Sequence, residues 1–238
     1  MRARLPSEQT APRPQRQATD IGEHFVTQYF EEDPTVESAP RDVVWALPDG
    51  SLTLTTDRGV FGYDRVDTGT KLLLLKAAPP PPTGNLLDLG CGTGAMAITM
   101  ARRSPAATIW AVDVNGRARE LCALNAARHG TTNVTVLHPD DVDPGLRFDA
   151  LWSNPPIRIG KPALHAMLTM WLLRLQTGAD ALLVVQKHLG ADSLQRWLNE
   201  TGHRAERVAT GAGFRLLRVS GPTAPGRRST SGGIDLDS

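Results

Sequence analysis

Short apolar runs alternate with longer amphipathic stretches through the middle of the chain. The runs are LLDLG, TIWAVDV, VTVL, FDALWS and DALLVVQ, and the stretches between them include GAMAITMARRS, GRARELCALNAARH and ALHAMLTMWLLRLQ. Runs of this length are typical of strands that are buried on both faces, and their alternation with helices indicates βαβ units. The pattern therefore predicts an α/β fold, with a mostly parallel sheet between two layers of helices.

The two ends of this pattern differ from its middle. After the helix candidate ADSLQRWLNETG, the pieces RAERVAT and GFRLLRVS lie close together around Gly211 and Gly213, which predicts an antiparallel hairpin. Upstream, VVWAL and LTLTT flank the turn sequence Pro48-Asp49-Gly50, which predicts a second hairpin, and EHFVTQYFEE predicts a short helix. These upstream pieces are too small for a core of their own, so we expect them to pack onto the main domain.

The chain has 238 residues, 40% of them hydrophobic, which is enough for one α/β core. We expect a disordered leader over 1–20, a small helix-and-hairpin segment over 21–66, the main domain over 67–220 and a disordered tail over 221–238. The leader and the tail are predicted to be disordered because their apolar content is too low to offset the entropy of ordering.

Composition excludes several classes of protein. The net charge is only +1, so any nucleic-acid site requires a local basic patch. The two cysteines are far apart and the six histidines show no ligand spacing, which indicates neither a disulfide framework nor a metal site. No apolar run approaches the roughly 18 residues that span a bilayer, and the first 20 residues lack the apolar stretch expected of a secretory signal. We expect a cytoplasmic monomer that binds neither a membrane nor a metal.

The first predicted strand runs directly into a glycine-rich turn, DLGCGTG, from Asp88 to Gly94. Ligands of such sheets bind at the carboxyl ends of the strands, and glycines there allow close approach to the backbone. The candidate cofactor residues in this turn are Asp88, Gly90, Cys91, Gly92 and Gly94. By itself the motif also fits a tight turn with no ligand.

Acidic residues follow the next two strands. Asp113 lies 19 residues after Gly94, where a ribose-binding carboxylate belongs in a nucleoside-binding βαβ unit, and Val114 follows it. The alternative for Asp113 is an ordinary acid at a helix N-terminus. Asp140 and Asp141 follow the third strand, where a carboxylate can accept a hydrogen bond from the adenine amine; the alternative is a turn or a cap. The choice between these two aspartates stays open, with Asp141 favoured.

The glycine spacing here is G-x-G-x-G, whereas dinucleotide folds favour G-x-G-x-x-G. Taken together, DLGCGTG, Asp113 and SNPPI resemble class I S-adenosylmethionine-dependent methyltransferases, over about residues 67–220. The resemblance implies a Rossmann-like fold of seven strands, mostly parallel with a C-terminal antiparallel hairpin, and S-adenosyl-L-methionine as cofactor. An acid beside the glycine turn suits the ammonium group of this cofactor, which has no phosphate.

The segment Asn154-Pro155-Pro156-Ile157 ends the fourth strand. In the resembled family an (N/D)-P-P-aromatic segment marks enzymes that methylate planar or amide nitrogens. The Asn154 oxygen and the Pro155 carbonyl could accept the two N–H bonds of such an amine, and proline stiffens the loop. The alternative is a turn that only stops a strand. Ile157 departs from the family pattern because it cannot stack on a target ring.

A further segment, GVFGYDRVDTGTKLLLL, resembles the methyltransferase small domain group, which includes 16S ribosomal RNA guanine-N2 methyltransferases. This resemblance implies that four residues lie near the cofactor, namely Phe61, Asp67, Gly69 and Thr70. Asn154 is expected to lie near the cofactor as well. Asp67 and Thr70 also fit a plain helix start. Three cations follow the loop, namely Arg158, Lys161 and Lys187. They are predicted to contact RNA phosphate; the alternative is that they are merely solvated.

We therefore predict an S-adenosylmethionine-dependent N-methyltransferase acting on an exocyclic amine of an RNA base, guanine N2 in 16S ribosomal RNA being the favoured target. The expected partner is ribosomal RNA or the small ribosomal subunit. The alternatives are a protein glutamine N5-methyltransferase, which favours Tyr where this chain has Ile157, a nicotinamide-dependent oxidoreductase, and a catalytically silent RNA-binding protein.

Overall fold

A computed structural model describes residues 36–221 of the chain. The predicted leader, the helix candidate over 23–32 and all but the first residue of the predicted tail lie outside the described residues. In chain order the elements are β1 (Arg41–Leu47), β2 (Gly50–Thr56), α1 (Thr68–Lys76), β3 (Thr83–Leu89), α2 (Ala95–Arg103), β4 (Ala106–Val112), α3 (Gly116–Arg128), β5 (Val134–Leu137), β6 (Phe148–Ser153), α4 (Lys161–Leu172), β7 (Leu175–Gln186), α5 (Ala191–Glu200), β8 (Arg204–Gly211) and β9 (Phe214–Ser220).

A seven-stranded sheet forms the centre of the fold, with strand order β5-β4-β3-β6-β7-β9-β8. Pairing is parallel from β5 to β7, whereas β9 runs antiparallel to both of its neighbours. The predicted α/β fold, with a mostly parallel sheet and a C-terminal antiparallel hairpin, is confirmed. The strand order reverses between β3 and β6, and sheets of this kind bind ligands at that point, beyond the carboxyl ends of the strands.

Each face of the sheet has its own apolar core. Neighbouring residues of one strand enter opposite cores, as Leu183 and Val184 of β7 do, because side chains alternate along a strand. Helices α1, α2 and α3 cover the first core, and α4 and α5 cover the second. Burial on both faces explains why the strands read as continuous apolar runs. None of the helices within residues 36–221 is long and apolar enough to cross a membrane.

The β1–β2 hairpin packs against the first core, together with the helices that cover that core. Its strands pair antiparallel around a turn at Gly50, and Trp45, Leu52 and Leu54 are buried in that core together with residues of α1 and α2. An ion pair of 2.7 Å between Asp49 and Arg103 joins the turn to α2. The hairpin therefore adds apolar surface to the main core and closes one side of the region described next.

Candidate active site

A cleft of about 1720 Å³ opens beyond the carboxyl ends of the central strands, where the strand order reverses. The predicted site residues that line it are Phe61, Asp67, Thr70, Asp88, Gly90, Cys91, Gly92, Asp113, Val114, Asp140, Asn154, Pro155, Pro156, Ile157 and Arg158. Five others are outside its lining, namely Gly69, Gly94, Asp141, Lys161 and Lys187. Residues from both hairpins, the glycine turn and the loop after β6 thus meet in one place.

The glycine turn crosses from the end of β3 onto the end of β4. The backbone N–H groups of Gly90 and Cys91 both donate to the carbonyl of Val112, at 2.8 and 3.0 Å. Gly94, which begins α2, has φ +88°, and a β-carbon there would lie 2.9 Å from the Cys122 sulfur. Only glycine fits this position, because it permits both the left-handed backbone and the close contact between α2 and α3.

Asp113, at the end of β4, braces the glycine turn. One carboxylate oxygen accepts the Gly92 N–H at 2.9 Å and the other accepts the Asn115 N–H at 3.0 Å. Surrounding protein raises the pKa of Asp113, although these hydrogen bonds and Arg119 oppose the rise. Each carboxylate oxygen has a second lone pair, so the group can still accept hydroxyl protons from a ligand in the cleft.

Asp88 is the fully buried acid of the site, with 1% of its surface exposed. One oxygen accepts the Ala97 N–H at 2.8 Å. Burial, reinforced by repulsion from Asp113, raises the pKa of Asp88 to about 7, although the Ala97 hydrogen bond opposes the rise. A carboxyl group whose pKa lies near neutral pH ionises more readily when a cation binds beside it.

Cys91 is also buried in the glycine turn. A hydrogen bond with the thiol of Cys122, together with burial, raises the pKa of Cys91 well above its ordinary value. The thiol therefore stays protonated at neutral pH. Because the thiolate is the nucleophilic form, Cys91 acts here as a small packing residue.

The third strand of the parallel set, β5, leads into a 3₁₀ turn over Pro139–Asp141. His138 precedes the turn, and its Nδ1 accepts the Asp140 N–H at 3.3 Å. Asp140 lines the cleft and Asp141 does not. The geometry therefore favours Asp140 as the site residue, whereas the sequence favoured Asp141.

Asn154 follows β6 and faces α1 across the cleft. Its side-chain nitrogen donates to Asp67 Oδ2 at 2.9 Å and to Thr70 Oγ1 at 3.1 Å. No hydrogen bond from within residues 36–221 reaches the side-chain oxygen of Asn154 or the carbonyl of Pro155. The amide is therefore anchored through its nitrogen, and its oxygen is an unused acceptor of a residue that lines the cleft.

Ile157 starts a short 3₁₀ turn after the two prolines and packs against the second core. One aromatic ring in the cleft lining comes from Phe214, the first residue of β9. Phe214 lies opposite Gln186 of β7, which also lines the cleft. A β-carbon on Gly69 would lie 2.6 Å from the Phe214 ring, so the glycine allows the ring to lie against α1.

Comparison with known proteins identifies the family. Residues 51–218 match the model of the "Methyltransferase small domain", which is more than half of the chain. The chain belongs to the methyltransferase small domain family. The match covers nearly all of β2 and most of β9, so it includes every residue that lines the cleft except Val43 and Trp45.

Two relatives are similar to this chain over most of its length. YbxB of Bacillus subtilis, described as an uncharacterised protein, is 34% identical over 194 residues, covering 80% of this chain and 96% of YbxB. Ribosomal RNA small subunit methyltransferase C of Pseudomonas syringae is 32% identical over 194 residues, covering 79% of this chain. The chain spans 57% of the length of the latter protein.

A solved structure of a T. thermophilus 16S rRNA N2 methyltransferase, in complex with AdoMet and guanosine, shares the fold of this methyltransferase small domain. The TM-score is 0.66 at 23% sequence identity, over 79% of this chain and 52% of that one. Within residues 36–221 no cluster of three or more His, Cys, Asp or Glu side chains is arranged to hold a metal ion.

Sequence reasoning missed Asn125 of α3, which ties the first hairpin to the glycine turn. The side chain is fully buried; its oxygen accepts the Thr55 N–H at 2.8 Å, and its nitrogen donates to the carbonyls of Thr55 and Thr93 at 2.8 and 2.9 Å. The sequence feature that could have revealed this role is an amide on the apolar face of α3, four residues after Leu121. Such a residue is satisfied only if it meets backbone from another element.

Replacing Asn125 by alanine is expected to lower the free energy of unfolding by about 3 kcal/mol, because three partly buried backbone groups lose their hydrogen-bond partner. Urea denaturation followed by circular dichroism measures the change. Leu124→Ala, at an exposed position of the same helix, is the matched control and should change stability by less than about 0.5 kcal/mol. Equal stability of both variants would show that the Asn125 hydrogen bonds do not hold the hairpin.

Proposed function

We propose that the protein is an S-adenosylmethionine-dependent N-methyltransferase that modifies an exocyclic amine of an RNA base, namely guanine N2 in 16S ribosomal RNA. The observation that carries the proposal is the Asn154 amide, which is anchored through its nitrogen and leaves its oxygen unused, next to Pro155 in the lining of a cleft that also contains the glycine turn. A primary amine brings two N–H donors, which these two acceptors can receive together.

The cofactor would occupy the part of the cleft around the glycine turn. Asp113 would accept the ribose hydroxyls, and Asp140 with Val114 would border the adenine. The buried carboxyl of Asp88 suits the ammonium group. When bound, S-adenosylmethionine supplies an activated methyl on a sulfonium, so the protein has to position the amine in line with that methyl and exclude water.

The acceptor end of the cleft suits a planar base better than a glutamine side chain. Phe214 offers an aromatic surface where Ile157 cannot, and stacking on a ring favours a nucleobase. Gln186 is half-buried beside it, and its amide can both donate to and accept from a base edge. The base would have to be unpaired or flipped out to reach this position.

Exposed cations lie in the cleft lining and on the segments that follow it. Arg65 and Arg158 line it and are exposed, and neither is among the ion pairs formed within residues 36–221. Exposed Lys161 and Lys187 lie at the starts of α4 and of the turn after β7. These side chains could contact the RNA backbone around an inserted base, and their contribution would decrease with added salt.

The test is transfer of labelled methyl from S-adenosylmethionine to small ribosomal subunits and, separately, to protein-free 16S ribosomal RNA, followed by mass spectrometry of the nucleosides. N2-methylguanosine is the expected product. Label in a different nucleoside would overturn the guanine assignment. Label only in protein glutamine would favour the rival N5-methyltransferase, and binding of NADH without any binding of S-adenosylmethionine would favour an oxidoreductase.

Replacing Phe214 by alanine is expected to reduce turnover on RNA about tenfold, because base stacking on an aromatic ring contributes roughly 1–3 kcal/mol. The affinity for S-adenosylmethionine, measured by calorimetry, should stay within about twofold. Phe214→Tyr keeps the ring and is expected to recover most of the turnover. If the alanine variant keeps full turnover, the target base does not stack on this residue.

A further inference from the structure

The hydrogen bonds around Asn154 leave its amide one orientation. The side-chain nitrogen donates at the start of α1 to Oδ2 of the N-cap residue Asp67 at 2.9 Å and to Oγ1 of Thr70 at 3.1 Å. The partners are themselves joined, because Asp67 Oδ2 also accepts the Thr70 N–H at 2.6 Å. The three residues therefore form a closed network in which the first turn of α1 holds the loop after β6.

Rotating the amide by half a turn would break this network. The Asn154 oxygen would then face the carboxylate oxygen of Asp67, which cannot donate a hydrogen bond when ionised, and both amide protons would lose their partners. Thr70 is 7% exposed and Asp67 is half-buried, so water replaces these partners poorly. The network thus fixes the direction of the acceptor oxygen before any substrate arrives.

We infer that Asp67 and Thr70 are positioning residues for the methyl acceptor, which act by fixing the direction of the Asn154 oxygen. For the identity of the acceptor the inference rests on the proposed function. It differs from the expectation based on sequence, in which Asp67 and Thr70 served the cofactor. Their loss should therefore slow methyl transfer without weakening cofactor binding, since the missing interaction aligns the amine in the transition state.

Thr70→Val removes the hydroxyl with little change in shape and is expected to lower kcat about fivefold, as loss of one hydrogen bond implies. Thr70→Ser keeps the hydroxyl and is expected to recover most of that loss. Asp67→Ser still caps α1 but is too short to reach Asn154, so kcat should decrease about tenfold. The dissociation constant of S-adenosylmethionine should stay within about twofold in each variant.

A double-mutant cycle separates alignment from general disruption. In an Asn154→Ala background, Thr70→Val is expected to change single-turnover rate by less than about twofold, because its partner is already gone. An unchanged kcat in Thr70→Val and Asp67→Ser, together with a large loss in Asn154→Ala, would overturn the inference and leave the proposed function standing. A weakened affinity for S-adenosylmethionine at constant kcat would also overturn it, by assigning both residues to the cofactor.

A measurement without any substrate keeps the inference testable if RNA proves not to be the acceptor. In protein labelled with ¹⁵N asparagine, the side-chain signals of Asn154 are assigned by their absence from Asn154→Ala. Both amide protons are expected to exchange with solvent at least about tenfold more slowly than those of an exposed asparagine, and Thr70→Val should accelerate one of them. Fast exchange of both protons in the wild type would overturn the fixed orientation, whatever the acceptor is.

Discussion

Replacing Asn154 by alanine is expected to reduce methyl transfer to RNA about 10²–10³-fold, the loss seen when a pre-positioned catalytic hydrogen-bonding group is removed. The amine would lose the acceptor that directs its lone pair toward the methyl group, and the Pro155 carbonyl alone cannot fix its rotation. Single-turnover transfer of labelled methyl measures the effect.

Two controls make this result specific to Asn154. Calorimetric affinity for S-adenosylmethionine should stay within about twofold, and the melting temperature should change little because Asn154 is only half-buried. Equal transfer by variant and wild type would refute the amine-clamp mechanism. A parallel loss of cofactor affinity would instead place Asn154 on the cofactor, which is the other role the sequence suggested.

The parts of the site that sequence predicted well are those encoded within a few neighbouring residues. The glycine turn, Asp113 and the Asn-Pro-Pro loop all follow apolar runs, and in a parallel sheet the carboxyl ends of strands meet at one edge. The alternation of strands and helices was enough to bring these segments together, since it specifies which edge each loop occupies. All of them line the cleft.

The parts that sequence did not predict depend on contacts between distant segments. Asn154 bonds Asp67 and Thr70 from 87 and 84 residues away, and no local pattern specifies such a pairing. Phe214 reaches the cleft because β9 inserts between β7 and β8, a strand order that apolar periodicity does not reveal. One aromatic ring of the cleft lining thus comes from a strand that the local sequence did not place there.

Gly94 shows how a glycine of the motif can serve helix packing. Sequence placed it among residues that a ligand approaches, yet it lies outside the cleft lining and its α-carbon faces Cys122. The glycine is required for close packing of two helices. The spacing of the motif was informative, but the function of each glycine depended on what the fold placed beside it.

At about pH 5.5 the affinity for S-adenosylmethionine is expected to be about twentyfold weaker than at about pH 7.5, through Asp88. Burial raises the pKa of Asp88 to about 7 in the free protein, so the carboxyl is largely neutral at the lower pH. A cation bound beside it favours the ionised form, and binding must then expel the proton. Affinity should therefore improve as pH rises, and level off above pH 7.

Asp88→Asn provides the matched control, because an amide of the same shape still accepts the Ala97 N–H but cannot titrate. Its affinity should be weaker and nearly independent of pH over the same range. At about pH 6, calorimetry in buffers of different ionisation enthalpy should show close to one proton released on binding to wild type and almost none with the variant. Equal proton release by both would assign the pH dependence to Asp113 or to the cofactor itself.

The raised pKa of Asp88 also makes the stability of the free protein depend on pH. The folded-state pKa of about 7 exceeds the ordinary value of 3.8, so the folded protein holds a proton that the unfolded chain has lost between these values. The contribution of Asp88 to stability is therefore greatest below pH 3.8 and decreases as pH rises to about 7. Bound cofactor should reverse this trend by stabilising the ionised carboxylate. The gain in melting temperature on adding S-adenosylmethionine is therefore expected to grow from about pH 5.5 to about pH 7.5 in wild type. In Asp88→Asn the gain should stay constant over the same range.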